Sequence, residues 1–544
     1  MSWLSSDEVA ARRGGLWLAA IFGGVALGFG LVSLVNHYYF RTFAYDLGLF
    51  NHALWDYAHL RWNANSVKRF DNILADHFTV VQIGFAPLWW VLRSWTLLVV
   101  QIAAVLFGGW GAWRLHVARL QATDPGASLA PARWLTLHFF GIWGIWTALA
   151  FDYHDNVIGA MLLPWLLLAF FERRGRLALL MSVLILLTKE NMALWLVCVG
   201  LGLAWLYRAD ARRRTWALAL SGAAGLYFKV VTGVVMPALS PTGTYLYTQH
   251  YAALGRTFGE VAQTLLSRPL FAISLLWRNF PYQPHADGVK AELHLLVLLS
   301  GGLALLRRPA YALMLASVYA QKLLSSLPAL WGTGYQYSIE FVPVLNAALG
   351  HWLLTRSPGA ASARWPAFTP VRMAAASALL ALLGTLKLMS TPHSPGVDKT
   401  QLRFFSSRHY RSPFDVAAVR RGLAVIPPDV PVSAHSDLQA HLADRSISYL
   451  FPFVGEAEYL ALLPDGNPYP LYAAGYARII RRLRRDPAWE EVPQPGAPAL
   501  LVLRRRVPRL APPYPRRRYA GHPVELADSL RLTDFAEPQF RKGL

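Results

Sequence analysis

The sequence predicts a polytopic α-helical membrane protein, about 11 transmembrane helices within residues 1–390, followed by a small extracytoplasmic α/β domain over 391–544. Three observations carry this. The 544 residues are 55% hydrophobic and only 15% charged, and the mean hydropathy of +0.31 lies outside the range of soluble chains. Apolar runs of roughly the length needed to cross a bilayer, about 20 residues, recur through the first two thirds. Arginines gather on every second connection between those runs, the asymmetry that orients helices in a membrane.

In chain order, Leu16 to Val35 is an uncharged run without a clear small-residue cleavage site, so it is expected to remain as the first span. Further runs fall near 95–113, 134–150, 157–171, 177–187, 192–206, 216–239, 293–306, 310–327, 337–354 and 373–389. Arg12 and Arg13; Arg114, Arg119 and Arg133; Arg173, Arg174 and Arg176; Arg208 and Arg212 to Arg214; Arg307 and Arg308; and Arg356, Arg364 and Arg372 then share one side, which is assigned to the cytoplasm. Residues 151–156 and 325–336 hold no Lys or Arg and face the other way. The N-terminus is therefore expected inside and the C-terminal domain outside. This pattern holds only if 78–92 lies on the outer surface, kinked at Pro87 and ending at Arg93, and if the chain turns near Lys189. The run 177–187 would rise only about 16 Å as a helix, so the turn at 188–191 should be sunk below the surface. Charged backbone at that depth is tolerated where it lines a cavity.

Two large outward loops result, 36–94 and 240–292. Beyond Thr391 the composition shifts to proline, arginine and short alternating elements: a helix over 414–425, strands over 430–434, 447–451 and 500–504, and a basic helix near 471–485. The stretch RRRVPRLAPPYPRRRY is expected to be irregular and to dock on this domain or touch anionic lipid. The formal charge of +21 comes from short clusters and not from a basic stripe with interleaved aromatics, which argues against nucleic acid. With Cys198 the single cysteine, no intrachain disulfide can form.

Four outward clusters of ionisable residues remain: Tyr45 with Asp46; Asp76 with His77; Asp152, His154 and Asp155; and Lys189 with Glu190. Polar groups at the membrane edge are costly unless paired, which makes them functional candidates or partners in structural ion pairs. A carboxylate at Asp46 suits a general base for an acceptor hydroxyl, or a ligand with Asp76 for a divalent cation beside a phosphate; its bland alternative is an N-cap for a helix over 47–60. Asp76 and His77 have the same alternative, capping a helix that starts at Phe78. Lys189 at the tip of a recessed turn suits a phosphate, unless it pairs locally with Glu190.

The motifs YDLGLFNHALW and LADHF, then FDYHDN, LLTKEN and the outward VSAHSDLQAHLADRSISYLFP, together resemble the uncharacterised bacterial membrane family called domain of unknown function 2079, over roughly residues 15–455. That family in turn resembles the GT-C class of membrane glycosyltransferases, which take sugars from polyprenyl-phosphate donors. The resemblance implies a multi-pass protein of the bacterial inner membrane moving a sugar to an unknown extracytoplasmic acceptor, with membrane lipids and a lipid-linked sugar donor as partners. Asp46, Asp76 and His77 would be catalytic, and Lys189, Glu190, His154 and Arg256 would contact the donor phosphate. Many GT-C enzymes carry two acidic residues adjacent or one apart in the first loop, whereas Leu47 and Gly48 follow Asp46 here, which weakens the case for a metal. The rival classes are a non-enzymatic lipid or polysaccharide transporter and a structural membrane protein; a transporter would place charges at the midplane of two related halves, and here they gather at one face.

Overall fold

The computed structural model describes residues 6–255, 257–355, 369–391, 398–510, 519 and 534–535. Five helical stretches among them are long and apolar enough to cross a membrane: Gly15–Tyr38, Val81–Thr123, Ala211–Leu239, Pro284–Arg307 and Pro370–Ser390. Asp155–Phe171, Gly175–Leu186 and Glu190–Leu206 are shorter apolar helices. The eleven expected runs thus divide into full-length spans and pieces too short to cross unaided. The run at 134–150 is broken at Ile142 into Ala130–Gly141 and Trp143–Ala150, and 12 residues of helix reach only about 18 Å.

The helices that position the site are α1 (Ser6–Tyr38), α2 (Leu49–Ala58), α3 (Ala86–Leu92), α4 (Thr96–Thr123), α5 (Ala130–Gly141), α6 (Trp143–Ala150), α7 (Asp155–Phe171), α8 (Gly175–Leu186), α9 (Glu190–Leu206) and α10 (Ala211–Val230). Later come α11 (Pro309–Leu323), α12 (Phe341–Leu354) and α13 (Pro370–Ser390). Helix α7 is the centre of the bundle: apart from Trp165 and Phe171 its residues are buried, packed against α4 and α8. Close approach to α4 is possible because Gly108 and Gly111 carry no side chain; a Cβ at either would come within 2.7 Å of Met161 or Trp165. Helices α10 and α11 flank α9, and α13 packs on α5.

Pro87 does not kink the helix over 78–92. It stands in the first turn of α3, where a missing N–H costs nothing because first-turn amides have no intrahelical acceptor. The break comes instead at Arg93, whose left-handed backbone (φ 50°) separates α3 from α4.

The C-terminal part builds a five-stranded mixed sheet from β1 (Val432–Ala434), β2 (Ser448–Leu450), β3 (Tyr459–Leu462), β4 (Trp489–Val492) and β5 (Leu501–Arg505), in the order β2-β1-β3-β5-β4. β1 runs parallel to β2 and β3, and β5 is antiparallel to β3 and β4. Three strands and two helices match the expected positions, the helices being α14 (Val416–Leu423) and α16 (Ala473–Leu483), with a one-turn helix α15 (Ser436–Gln439) between them. β3 and β4 were not foreseen. Most of the basic, proline-rich segment after Leu510 lies outside the described residues.

Candidate functional site

Asp46 sits inside a wide π-type turn, Ala44–Gly48, that leads into α2. It caps nothing: neither the turn nor α2 has a side-chain cap hydrogen bond. Its Oδ1 instead accepts from His154 Nε2 at 3.1 Å, while Oδ2 makes no hydrogen bond among the described residues. The carboxylate is 21% exposed against 6% for the imidazole, so one oxygen is bound and the other stays open. A nitrogen facing a carboxylate carries the proton, which leaves His154 Nδ1 as a buried acceptor with no partner among the described residues. Burial pushes the His154 imidazole below its ordinary value and Asp46 offsets this only in part.

Asp152 holds the turn that presents Asp46. Its Oδ2 accepts from the backbone N–H of Phe43 at 2.7 Å and of Leu47 at 3.4 Å. To do so it adopts a left-handed backbone (φ 57°), which short polar residues tolerate best but which still costs about 1 kcal/mol. Burial raises its carboxyl well above the usual range, and the charge on Asp46 raises it further. Gln101 of α4 fixes the same segment from below, donating to Asp152 O at 2.7 Å and accepting from His154 N at 2.8 Å.

The far end of the first loop is tied to the recessed turn between α8 and α9. Val80 N and Val81 N both donate to Leu187 O, at 2.9 and 3.0 Å. His77 Nδ1 lies 3.2 Å from Glu190 Oε1, and Phe78 N donates to Glu190 Oε2 at 3.0 Å. Glu190 therefore pairs across to the loop and not with Lys189. Asp76 does not cap a helix either: its Oδ1 accepts from Lys68 Nζ at 3.2 Å and from the Tyr247 hydroxyl at 2.7 Å. Burial alone would push the Asp76 carboxyl up, but Lys68, His77 and that hydroxyl outweigh it and hold it at about 2. Tyr247 also stacks on the His77 ring at 4.7 Å.

A cavity of about 140 Å³ opens beside these groups, lined by His77, Lys189, Glu190, Tyr245, Tyr247 and Glu340, among others. Lys189 is only 8% exposed, yet its side chain makes no hydrogen bond or ion pair among the described residues. The positive charge of Lys189 is felt at His154, which links the cavity to the Asp46 pair.

The four clusters thus form one connected region. Asp155 belongs to its foundation, buried and bound by the Tyr153 hydroxyl at 2.6 Å and by Gln82. Tyr45 packs at 6.2 Å from Tyr469 and beneath Lys68 at 5.0 Å. Arg256 lies outside the described residues. For a divalent cation the fit is poor: Asp76 is taken by an ammonium and a hydroxyl, and no group of three or more His, Cys, Asp or Glu among the described residues could hold a metal ion.

Tyr337 and Glu340, which also line the cavity, were not singled out by sequence, and Tyr247 stood out only as one aromatic of the second loop. Nor was α15 of the C-terminal domain, which packs onto the turn bearing Asp46: Ala44 N donates to Ser436 Oγ at 3.3 Å, and a Cβ on Gly48 would stand 1.8 Å from Gln439 Oε1 and 3.3 Å from Ala440 Cα. Asp437 lies close enough for its charge to act on Asp152.

Apolar helices long enough to cross a membrane, around a cavity walled in part by ionisable residues, define an integral membrane protein. More specifically, the chain belongs to the family described as predicted membrane protein (DUF2079), whose model matches residues 36–466. Among curated proteins none matches it in sequence. Among solved structures it is similar to the apo form of the oligosaccharyltransferase of Archaeoglobus fulgidus, at 11% identity and a TM-score of 0.42, over 82% of this chain and 69% of that one. At that score and identity the two need not share a fold.

Proposed function

We propose that this protein is an integral membrane glycosyltransferase that moves a sugar from a polyprenyl-phosphate donor to an acceptor outside the cytoplasm. On this reading residues 1–390 form the membrane domain, residues 391–544 the extracytoplasmic domain, and the N-terminus is cytoplasmic in the inner membrane of a bacterium. The observation that carries the proposal is Lys189: a lysine only 8% exposed, its ammonium free of hydrogen bonds and ion pairs among the described residues, lining a cavity whose wall also holds Tyr337, itself within electrostatic range of the half-open Asp46 carboxylate. Such a cation suits an anionic group that arrives with a ligand.

In the proposed step the acceptor hydroxyl gives its proton to Asp46 Oδ2 while its oxygen forms a bond to the anomeric carbon. The bond from that carbon to the phosphate oxygen breaks, and the lipid phosphate leaves with the electron pair. Lys189 steadies the phosphate charge, and His154 keeps Asp46 oriented through Oδ1. Tyr247 and Glu190 fix His77 at the cavity wall.

The test is transfer from radiolabelled polyprenyl-phosphate sugars by membranes containing the protein. Asp46→Asn keeps the shape and the bond from His154 but cannot take up a proton, so the rate should fall about a hundredfold to ten-thousandfold. Normal transfer by that variant, or no donor consumed by the wild type, would overturn the reading.

A further inference from the structure

We infer that the opposite, arginine-rich face of the bundle carries a second anion site that takes a phosphate ester, independent of the reaction proposed above. A cavity of about 90 Å³ lies where α7 ends and where α8 and α10 begin, lined by Arg173, Asp210, Arg212, Arg213 and Trp216. Its construction is specific. Asp210 Oδ2 accepts from Arg173 Nη2 and from Arg213 Nε, each at 2.9 Å. Its Oδ1 accepts from the Arg213 backbone N–H at 3.0 Å. One carboxylate thus clamps two guanidinium groups side by side and neutralises only one of them.

Arg212 adds a third guanidinium, with no hydrogen bond or ion pair among the described residues. Arg213 is further immobilised over the Tyr207 ring at 4.0 Å. Arg173 occupies a left-handed corner (φ 61°) just beyond the end of α7, a position where glycine is the usual choice. Charge asymmetry across the membrane explains arginines on this face, but not three of them drawn around one concavity with a single acid. The two planar guanidiniums that Asp210 holds match the oxygens of a phosphate group, and Arg212, exposed on the same rim, brings an unpaired charge to them. Trp216, 48% exposed on the same rim, offers the amphipathic ring found at membrane interfaces. The phosphate could belong to a phospholipid headgroup or to a soluble phosphate ester, and the probes below separate the two.

The experiment is native mass spectrometry of the full chain with phosphatidylglycerol, phosphatidylcholine and glycerol 3-phosphate as probes. The wild type should retain phosphatidylglycerol over phosphatidylcholine. Arg173→Gln with Arg212→Gln should lower that retention about thirtyfold, and Arg212→Gln alone about fivefold. The single variant removes a side chain with no partner among the described residues, so a loss there is not a loss of fold. Arg176→Gln, outside the cavity, should change nothing. Displacement of the lipid by millimolar glycerol 3-phosphate supports the site with a soluble ligand, and resistance to it supports the site with a lipid. Equal retention of both lipids by the wild type, or the same loss in Arg176→Gln as in Arg212→Gln, overturns the proposal.

Discussion

Lys189→Met separates a functional cation from a structural one. Methionine keeps an unbranched apolar stem of similar length and removes the charge. In the folded protein the ammonium has no hydrogen bond or ion pair to lose among the described residues, and its burial to 8% exposure carries a desolvation cost. Longer-range attraction to Glu190 and Glu340 offsets part of that cost. Stability should therefore stay within about 1 kcal/mol of wild type or rise. Ligand binding should respond very differently: a unit charge about 4 Å from a phosphate oxygen contributes up to about 4 kcal/mol at an effective dielectric of 20. Affinity for a lipid phosphate should fall between about tenfold and a thousandfold. Tryptophan fluorescence on heating in detergent reads the first quantity, and binding of a radiolabelled polyprenyl phosphate reads the second. A variant that is destabilised by more than about 2 kcal/mol and still binds the phosphate normally would show Lys189 to be part of the scaffold and refute the argument.

Other outcomes follow from the same geometry. Glu190→Gln leaves an acceptor for Phe78 N but removes the charge facing His77, and should cost about 1–3 kcal/mol in thermal unfolding. For Asp76 the folded carboxyl is depressed from 3.8 to about 2, so its contribution is complete above pH 3.8 and disappears as pH falls through about 2. That is worth about 2 kcal/mol, and Asp76→Asn should flatten the acid limb of a stability profile over that window. Gly48→Ala should cost about 1–3 kcal/mol by overpacking, visible as faster limited proteolysis of the C-terminal domain; an unchanged digestion rate would show that Gln439 and Ala440 yield freely.

The ionisable clusters were legible because charge at a membrane edge is costly and so stands out against apolar runs. Their pairings were not. Asp46 looks like a cap for α2 until the wide turn at Ala44–Gly48 is seen to start earlier than the apolar periodicity, and Glu190 looks like a partner for its neighbour until His77 arrives from 113 residues away. Tyr247 is one of several tyrosines in a loop, with nothing local to mark it. The missed strands have equally physical causes. Tyr459–Leu462 is half-buried at its first residue and buried at the other three, so it shows no alternation. Trp489–Val492 is an edge strand carrying two successive glutamates, a pattern that reads as a turn.

The contacts between the first loop and the C-terminal domain bear on how the protein is made. Ser66 Oγ donates to Ser448 O across 382 positions, and Ala44 N reaches Ser436 across 392. A ribosome releases these halves tens of seconds apart at about 5–20 residues per second. Throughout that interval the turn bearing Asp46 has no lid and no fixed shape imposed from above. Its final geometry must wait until the last third of the chain has been synthesised and delivered to the same side of the bilayer. An interrupted or truncated copy would thus keep the contacts of Asp152 and His154 to this turn but lack those of Ser436 and Gln439, so that completion of the chain is the last step in shaping the site.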